Sequence, residues 1–337
     1  AQTDDDYPQK LFAPIAYTGT GAEKAIAVGF QSDFTWVKER GGANANKLTD
    51  SSRGATKALI TDSSNAETTD TQGVKSFTST GFTLGTDAIY NNNTDTYVSW
   101  NWRANGGTTT TNDASATGIG TIDSVYQANT AAGFSIVTYT GTGSAGSLAH
   151  GLGVVPKFMI GKARSESGSS WAVYTSVAGN GYLDLGEQAA YNSGSFGWNN
   201  TDPTSSVFTV GTSHSGSGTT YIAYLFTEKE GFSKFGAYEG NGNADGTYVY
   251  TGFRPSLVIC KSLDSTSDWS VFDDKRVGYN VDNNELKTNS NAAEATTDMI
   301  DILSNGFKLR IATDPNVAET YCYMAFAENP FQYSLAR

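Results

Sequence analysis

The sequence contains very few residues of the types from which most active sites and metal centres are built. Only two histidines and two cysteines occur among 337 residues, so a catalytic triad or a zinc site would draw on very few side chains. Two cysteines are also too few for the disulfide framework of a small secreted domain. We therefore expect no catalytic residues and no bound cofactor, which predicts that the protein is not an enzyme.

Basic residues and long apolar runs are scarce as well. The chain has 22 Lys and Arg against 34 Asp and Glu, and its formal net charge is −12. A nucleic-acid site needs a clustered basic surface, so we expect no nucleic-acid partner. No apolar run approaches the roughly 20 residues that cross a bilayer as a helix, so we also expect no membrane insertion.

The few histidines and cysteines are interpreted by their neighbours in the sequence. His150 and His214 both lie among glycine and serine, which predicts solvated loop residues. Cys260 and Cys322 lie on predicted strands, where two interpretations stay open: two buried free thiols, or one disulfide bond between strands.

Glycine and aromatic residues, by contrast, are plentiful, and they recur at regular intervals. Glycine occurs 37 times, tyrosine 18 times and phenylalanine 17 times, a composition typical of short strands joined by turns. Lys38 and Lys162 each end an apolar strand-like run and lie 124 residues apart, as do Tyr97 and Tyr221. The same two landmarks recur 99 and 100 residues later. The chain is therefore predicted to hold three diverged copies of one unit.

The landmarks set the predicted boundaries and the fold class. We expect an N-terminal tail at residues 1–10, β repeats at 11–103, 132–230 and 231–337, and a Thr/Gly/Asn-rich insert or linker at 104–131. Alternation of apolar and polar residues predicts sheets with one buried face, which must pack against another sheet. The fold class is therefore all-β, with three tandem β-sandwich or jelly-roll-like repeats. Because the second and third copies adjoin without a linker, a pseudo-threefold arrangement stays open beside an extended one.

Two pairs of opposite charge are candidate binding residues. Asp50 and Arg53 align with Asp273 and Arg276, whereas the second copy has no such pair at residues 175–179. One interpretation is a structural ion pair or turn cap. The other is a ligand site that two copies keep and one has lost.

An aromatic loop and two acidic loops are further candidates. Trp198, followed by Asn199 and Asn200, is the best candidate for an exposed ring that stacks on a sugar, but a core or loop-anchoring position is the favoured interpretation. Loops at 91–95 and 282–285 contain oxygen ligands suited to calcium, but their spacing matches no EF-hand. Calcium therefore stays open without a motif, and no other cofactor is expected.

Segments distributed along nearly the whole chain resemble a family of virion proteins from tailed phages, notably marine ones. The segments that carry the resemblance are residues 29–38, 52–57, 81–85, 97–102, 132–143, 150–153, 198–200, 233–236, 250–255 and 325–328. In that family the region often follows laminin-G or concanavalin-like modules, and it has no defined function. The family has no established functional residues that could be carried over.

The resemblance implies a structural protein of the virion, an extracellular particle, in the tail or fibre apparatus and involved in attachment to the host surface. The implied partners are other virion proteins, a host-surface glycan or receptor, and further copies of the chain. Three alternatives stay open: a capsid decoration protein, a glycan-degrading depolymerase and a non-phage extracellular filament subunit. Binding specificity is expected where the copies differ, in the loops at 41–47, 191–200 and 278–285.

Overall fold

The computed structural model describes residues 10–276, 280 and 284–328. It is 43% strand and 4% helix, with antiparallel sheets, which confirms the predicted all-β sandwich fold. We call residues 11–103, 132–230 and 231–328 the first, second and third unit.

The elements follow the chain in order. The first unit holds β1 (Phe12–Thr18), β2 (Lys24–Ala27), β3 (Phe34–Glu39), β4 (Lys47–Asp50), β5 (Lys57–Ile60), β6 (Thr68–Thr69), β7 (Val74–Thr78), β8 (Gly81–Leu84), α1 (Ala88–Asn91) and β9 (Thr96–Trp102). The insert holds β10 (Thr110–Asn112), α2 (Ala114–Thr117) and β11 (Ser124–Asn129). The second unit holds β12 (Phe134–Thr140), β13 (Gly146–Ala149), β14 (Phe158–Ala163), β15 (Ala172–Thr175), β16 (Gly179–Asp184), β17 (Val207–Val210) and β18 (Thr220–Phe226). The third unit holds β19 (Ser233–Glu239), β20 (Tyr248–Tyr250), β21 (Pro255–Ser262), β22 (Ser270–Asp273), β23 (Leu286–Lys287), β24 (Ile300–Leu303), β25 (Gly306–Leu309) and β26 (Thr320–Ala327).

Each unit pairs a larger sheet with a smaller one. The larger sheets have the orders β1-β9-β3-β4-β5-β6, β12-β18-β14-β15-β16 and β19-β26-β21-β22-β23. The smaller sheets have the orders β2-β8-β7, β13-β17 and β20-β25-β24. In the second unit the insert is part of the fold, because β10 and β11 extend the larger sheet beyond β12.

Residue alternation along the central strands divides each larger sheet between two cores. In β18, Ile222, Tyr224 and Phe226 lie in one apolar cluster that all three units share. Their neighbours Tyr221 and Leu225 lie in a second cluster, which fills the space under the smaller sheet of that unit. A strand whose side chains alternate between two cores is apolar at nearly every position, as in β18 and β26, whereas β9 also buries Ser99 and Asn101, which are hydrogen-bonded.

The shared core has three aromatic rings in mutual contact at its centre. Trp102 lies 6.2 Å from Phe226 and 5.5 Å from Phe326, and Phe226 lies 5.9 Å from Phe326, between ring centroids. The three rings hold equivalent positions in β9, β18 and β26, opposite Phe34, Phe158 and Leu257 respectively. Such a triangle is what an approximate threefold axis through the shared core requires.

The two cysteines lie on opposite faces of the third larger sheet. Cys322 is in the shared core, whereas Cys260 is in the cluster under the smaller sheet. Both are buried free thiols. Burial raises the pKa of Cys322 to about 12, and raises that of Cys260 above its usual value as well.

Candidate functional site

The first predicted charge pair is buried and bridges two units. Arg53, in the turn after β4, donates from Nε to Asp50, and its backbone N–H donates to Asp50 Oδ1 at 2.9 Å. Its Nη1 donates to Glu67 at 2.9 Å, and its Nη2 donates to the Leu48 carbonyl at 3.1 Å. From the second unit, the hydroxyl of Tyr224 donates to Asp50 Oδ2 at 2.8 Å. The side chains of Asp50 and Arg53 are 0% exposed, so neither reaches a ligand in solution.

Electrostatics keeps this network charged despite its burial. Burial by itself would lower the pKa of Arg53, but neighbouring Asp50, Tyr224 and Glu67 raise it. Burial also opposes the charge on Glu67, but hydrogen bonds from Arg164 and Arg53 hold its pKa below the usual value. Buried carboxylates are tolerated only when such partners compensate their lost hydration.

The second predicted pair repeats this arrangement between the third unit and the first. Arg276 donates to Asp273 Oδ2 at 2.7 Å, to the Val271 carbonyl at 2.8 Å and to Glu294 at 2.9 Å. From the first unit, the indole N–H of Trp100 donates to Asp273 Oδ2 at 3.0 Å. Trp100 and Tyr224 occupy the same register position in β9 and β18, opposite Trp36 and Ile160.

The junction between the second and third units lacks the pair and has an apolar residue in place of its hydrogen-bonding partner. Thr175 stands where the other units have aspartate, opposite Phe158 as Asp50 is opposite Phe34. Met324, an apolar residue of the shared core, stands where the neighbouring units have Trp100 and Tyr224. The pair and its hydrogen-bonding partner are therefore absent together, as expected for residues that join units.

One backbone hydrogen bond recurs at all three junctions. Glu67 N–H donates to Arg164 at 2.7 Å, Glu294 N–H to Arg40 at 2.8 Å, and Tyr191 N–H to Leu263 at 2.9 Å, in each case to the carbonyl oxygen. At two of the junctions the same glutamate and arginine also form a bidentate ion pair through their side chains. At the third junction Tyr191 and Leu263 pack on the shared core instead. The structure thus supports the structural interpretation of both charge pairs.

The interpretation of Trp198 as an exposed ring that stacks on a sugar is wrong, whereas the favoured interpretation, a core position that anchors its loop, is confirmed. The residue is 1% exposed and lies under the smaller sheet of the second unit, with its ring 6.2 Å from Phe208. Asn199 and Asn200 are exposed and adopt left-handed backbone conformations, with φ of 55° and 48°. Trp198 therefore anchors its loop to the core, and a sugar cannot stack on it.

The expectation of solvated histidines is also wrong. His150 is 0% exposed; its Nδ1 accepts from Leu152 N–H at 3.2 Å, so the proton sits on Nε2, 3.2 Å from the Thr204 carbonyl. His214 is 1% exposed and contacts Phe196, with ring centroids 5.0 Å apart. Burial lowers the pKa of His214 to about 4, and that of His150 below its usual value. The glycines and serines around both histidines do indicate loops, but these loops pack on the sandwich and bury the two side chains.

Three buried lysines are structural residues whose role the sequence does not reveal. Lys38, Lys162 and Lys261 end equivalent strands and are each 0% exposed. Their ammonium groups donate to carbonyls of nearby loops, for example from Lys162 to Ser169 at 2.7 Å and to Ser64 in the first unit at 3.1 Å. Burial lowers the pKa of Lys38 and Lys162 to about 8. The recurrence of lysine at this position in all three copies marks the repeat in the sequence, and it is the only sequence signal of a shared structural role.

A shallow groove of about 440 Å³ lies where the insert meets the second unit. Its walls carry the hydroxyls of Thr111, Thr138 and Thr220, together with Asp123 and Arg164. Arg164 makes a bidentate ion pair with Glu67 of the first unit. The groove is open, and its arginine is already committed to a junction.

A family model described as a domain of unknown function, DUF7483, matches residues 7–330. The chain belongs to this family. The match covers the three units and the insert as one domain, in agreement with a core that all three share. A search of curated proteins finds no match.

The described part of this DUF7483 chain has no cluster of three or more His, Cys, Asp or Glu placed to hold a metal. In the candidate calcium loop at 91–95, the Asn91 amide is used internally, since it donates to Gly85 at 2.8 Å and accepts from Thr20 N–H at 2.9 Å. Residues 282 and 283 of the second candidate loop lie outside the described residues, as does most of the variable loop at 278–285, whereas Glu285 is buried and accepts from Ser270 at 2.5 Å. Among the described helices, none is long and apolar enough to cross a membrane.

Two large aromatic side chains that are exposed in the described part of the DUF7483 chain are not at a predicted site. Tyr250 is 62% exposed and Tyr248 is 44% exposed, both on β20 of the third unit. Their signal in the sequence is the alternation of Tyr248, Val249 and Tyr250, which predicts a strand with two outward tyrosines. Exposure of both rings makes β20 the best remaining candidate for a binding surface.

Proposed function

We propose that this protein is a non-catalytic structural component on the surface of a phage particle, in the tail or fibre apparatus, where it contributes to attachment to the host. The observation that carries the proposal is the use of the buried charge pairs. Asp50, Arg53, Asp273 and Arg276, which resemble a site in the sequence, join the units. A protein whose buried charged residues hold its units together, rather than contact a substrate, suits a mechanical and recognition role.

The architecture supports the same proposal. Each larger sheet buries one face in its own sandwich and the other in the shared core, so the units cannot separate without exposing apolar surface. The shared core supports a stable body in which both cysteines are free thiols. The net charge of −12 favours solubility and disfavours nonspecific binding to nucleic acid.

The test is the location and copy number of the protein in purified particles. Quantitative mass spectrometry of particles, with immunogold labelling against the chain, should find it at the tail in low copy number. A high copy number spread over the head would instead favour capsid decoration, the second candidate. Absence from purified particles would overturn both.

A sugar-release assay separates attachment from depolymerase activity. The purified chain, incubated with capsule or lipopolysaccharide from a host, should release no reducing sugar above a heat-denatured control. Release that is abolished by a single Asp→Asn or Glu→Gln substitution would contradict the proposal, because it would show glycoside hydrolysis.

A further inference from the structure

The exposed tyrosines of β20 form a ledge on the outer face of the third unit's smaller sheet. We call Tyr248 and Tyr250 the tyrosine ledge. Val249, between them, is buried under the sheet in the core of the third unit. β20 is the edge strand of its sheet and pairs only with β25 among the described strands. The ledge is therefore open to solvent both above the outer face of the sheet and along its edge.

The chain lies close beneath both rings, at a glycine in each case. A Cβ atom added to Gly306, opposite Tyr250 on β25, would lie 3.2 Å from Cε2 of Tyr248. A Cβ atom added to Gly252 would lie 3.6 Å from the Tyr250 hydroxyl. The Tyr248 hydroxyl also donates to Asn305 Oδ1 at 2.7 Å, which fixes that ring in place. One side of each ring is thus supported by the chain, and the exposure of both residues leaves the other side open.

The other units show that the sandwich does not require these tyrosines. The positions equivalent to Tyr248 and Tyr250 are Ala25 and Ala27 in the first unit, opposite Thr83 and Gly81. In the second unit they are Ser147 and Ala149. A tyrosine opposite a glycine could serve only to cover the exposed backbone of that glycine. Gly81, however, lies opposite Ala27, so a glycine at this position does not require a tyrosine across from it. The aromatic rings are a feature of the third unit alone.

Polar groups of both signs border the ledge. Lys308, opposite Tyr248 on β25, lies 2.5 Å from Asp245, and Arg310 pairs with Asp301. These ion pairs are exposed or partly exposed, so their charges are available to an approaching ligand. These side chains supply hydrogen-bond donors and acceptors next to the open faces of the two tyrosines.

We propose that the tyrosine ledge binds a neutral carbohydrate, through a pyranose ring that stacks on Tyr250 and Tyr248. A supported aromatic face offers a flat apolar surface to the C–H side of a sugar, and the bordering Lys308, Asp245 and Asn305 hydrogen-bond its hydroxyls. Tyrosine pays little conformational entropy on binding, and here Tyr248 is already held. A protein partner fits less well, because two tyrosines are far smaller than the about 800 Å² per partner of a stable protein interface.

This inference rests on the proposed function, since attachment to a host surface requires such a ligand, but the two can fail separately. The probe is a panel of neutral hexose oligosaccharides with β-1,4, β-1,3 and α-1,4 linkages, titrated into the purified full chain by calorimetry and by NMR. Tyr250→Ala and Tyr248→Ala reproduce the alanines of the first unit, and Tyr250→Phe keeps the ring. Val154→Ala, which removes a side chain 50% exposed on the second unit, is the matched control.

The wild-type chain should bind at least one member of the panel, and each alanine variant should weaken binding roughly tenfold or more. Tyr250→Phe and Val154→Ala should bind like wild type, and all variants should keep the wild-type midpoint of thermal unfolding. Binding unaffected by both alanine variants, or no binding of any panel member, would overturn the inference. Dimerisation that the alanine variants abolish, without sugar binding, would also overturn it in favour of a second copy at the edge of β20. If the protein is present in particles but binds no sugar, the inference fails alone; if it binds sugar but is absent from particles, the proposed function fails alone.

Discussion

The hydroxyl of Tyr224 in the second unit donates a hydrogen bond of 2.8 Å to Asp50 in the first unit. Burial raises the pKa of Tyr224 well above its usual range, so the hydroxyl stays protonated and remains a donor. Asp50 in turn holds Arg53, whose guanidinium also binds Glu67. One carboxylate thus couples a turn of its own unit to the central strand of the next.

Replacing Arg53 by leucine should destabilise the whole protein. Arg53→Leu leaves Asp50 buried without its cation, which costs about 3–5 kcal/mol of unfolding free energy. Denaturant unfolding followed by fluorescence measures this loss. Arg40→Leu is the control, because Arg40 also pairs with a glutamate at a junction, Glu294, but its side chain is 21% exposed, and it should cost clearly less. Equal losses in the two variants would contradict the importance of burial.

The apolar junction supplies a design for rescuing that variant. Asp50→Thr, Arg53→Ala and Tyr224→Met together introduce the residues that the second and third units have at the equivalent positions. Because no buried charge or donor is left unpaired, the triple variant should unfold at a higher denaturant concentration than Arg53→Leu. A triple variant less stable than Arg53→Leu would show that the junctions are not equivalent.

The stability of the second unit should fall in mild acid because of His214. Its pKa lies near 4 in the folded chain and near 6.5 when unfolded, so between these pH values the unfolded chain binds more protons. Stability is therefore lost as the pH falls from 6.5 towards 4, by on the order of 3 kcal/mol. Measuring unfolding at pH 7 and pH 4 in wild type and in His214→Leu isolates this contribution from the carboxylates. An unchanged pH dependence in the variant would refute it.

The three buried lysines should resist chemical modification. Lys38, Lys162 and Lys261 are 0% exposed, so an amine-acylating reagent at pH 8 should leave them unmodified in the folded chain although their pKa is lowered. Lys75 and Lys234, with side chains 36% and 37% exposed, should react within the same time. Peptide mass spectrometry separates the sites. Acylation of Lys162 at the rate of Lys75 would show that the loop around it opens freely.

The alternation of residues along the central strands could be predicted from the sequence, because it depends on the strand period alone. The all-β fold followed from short strands that end at the same landmark residues. The sequence could not predict that Lys162 is buried, because a lysine at a strand end is usually solvated. Its burial depends on carbonyls from residues 64 and 169 that only the fold brings together.

The candidate site was predicted less well than the fold. Asp50 and Asp273 were recognised as special, but their partners Tyr224 and Trp100 are distant in sequence and belong to other units. Trp198 kept an exposed position as an alternative because its glycine- and asparagine-rich surroundings are typical of an exposed loop. Its ring turns inwards under the smaller sheet, a contact with Phe208 that no local pattern indicates.

The three units close around one core through Trp102, Phe226 and Phe326. Differential scanning calorimetry of the full chain and of Trp102→Ala tests it most directly, since removing a buried tryptophan costs about 3–5 kcal/mol. We predict a single transition in both proteins, with equal calorimetric and van't Hoff enthalpies, shifted as a whole to lower temperature in the variant. If the protein instead shows separate transitions, and Trp102→Ala shifts only the transition of the first unit, the three units do not unfold together around one core.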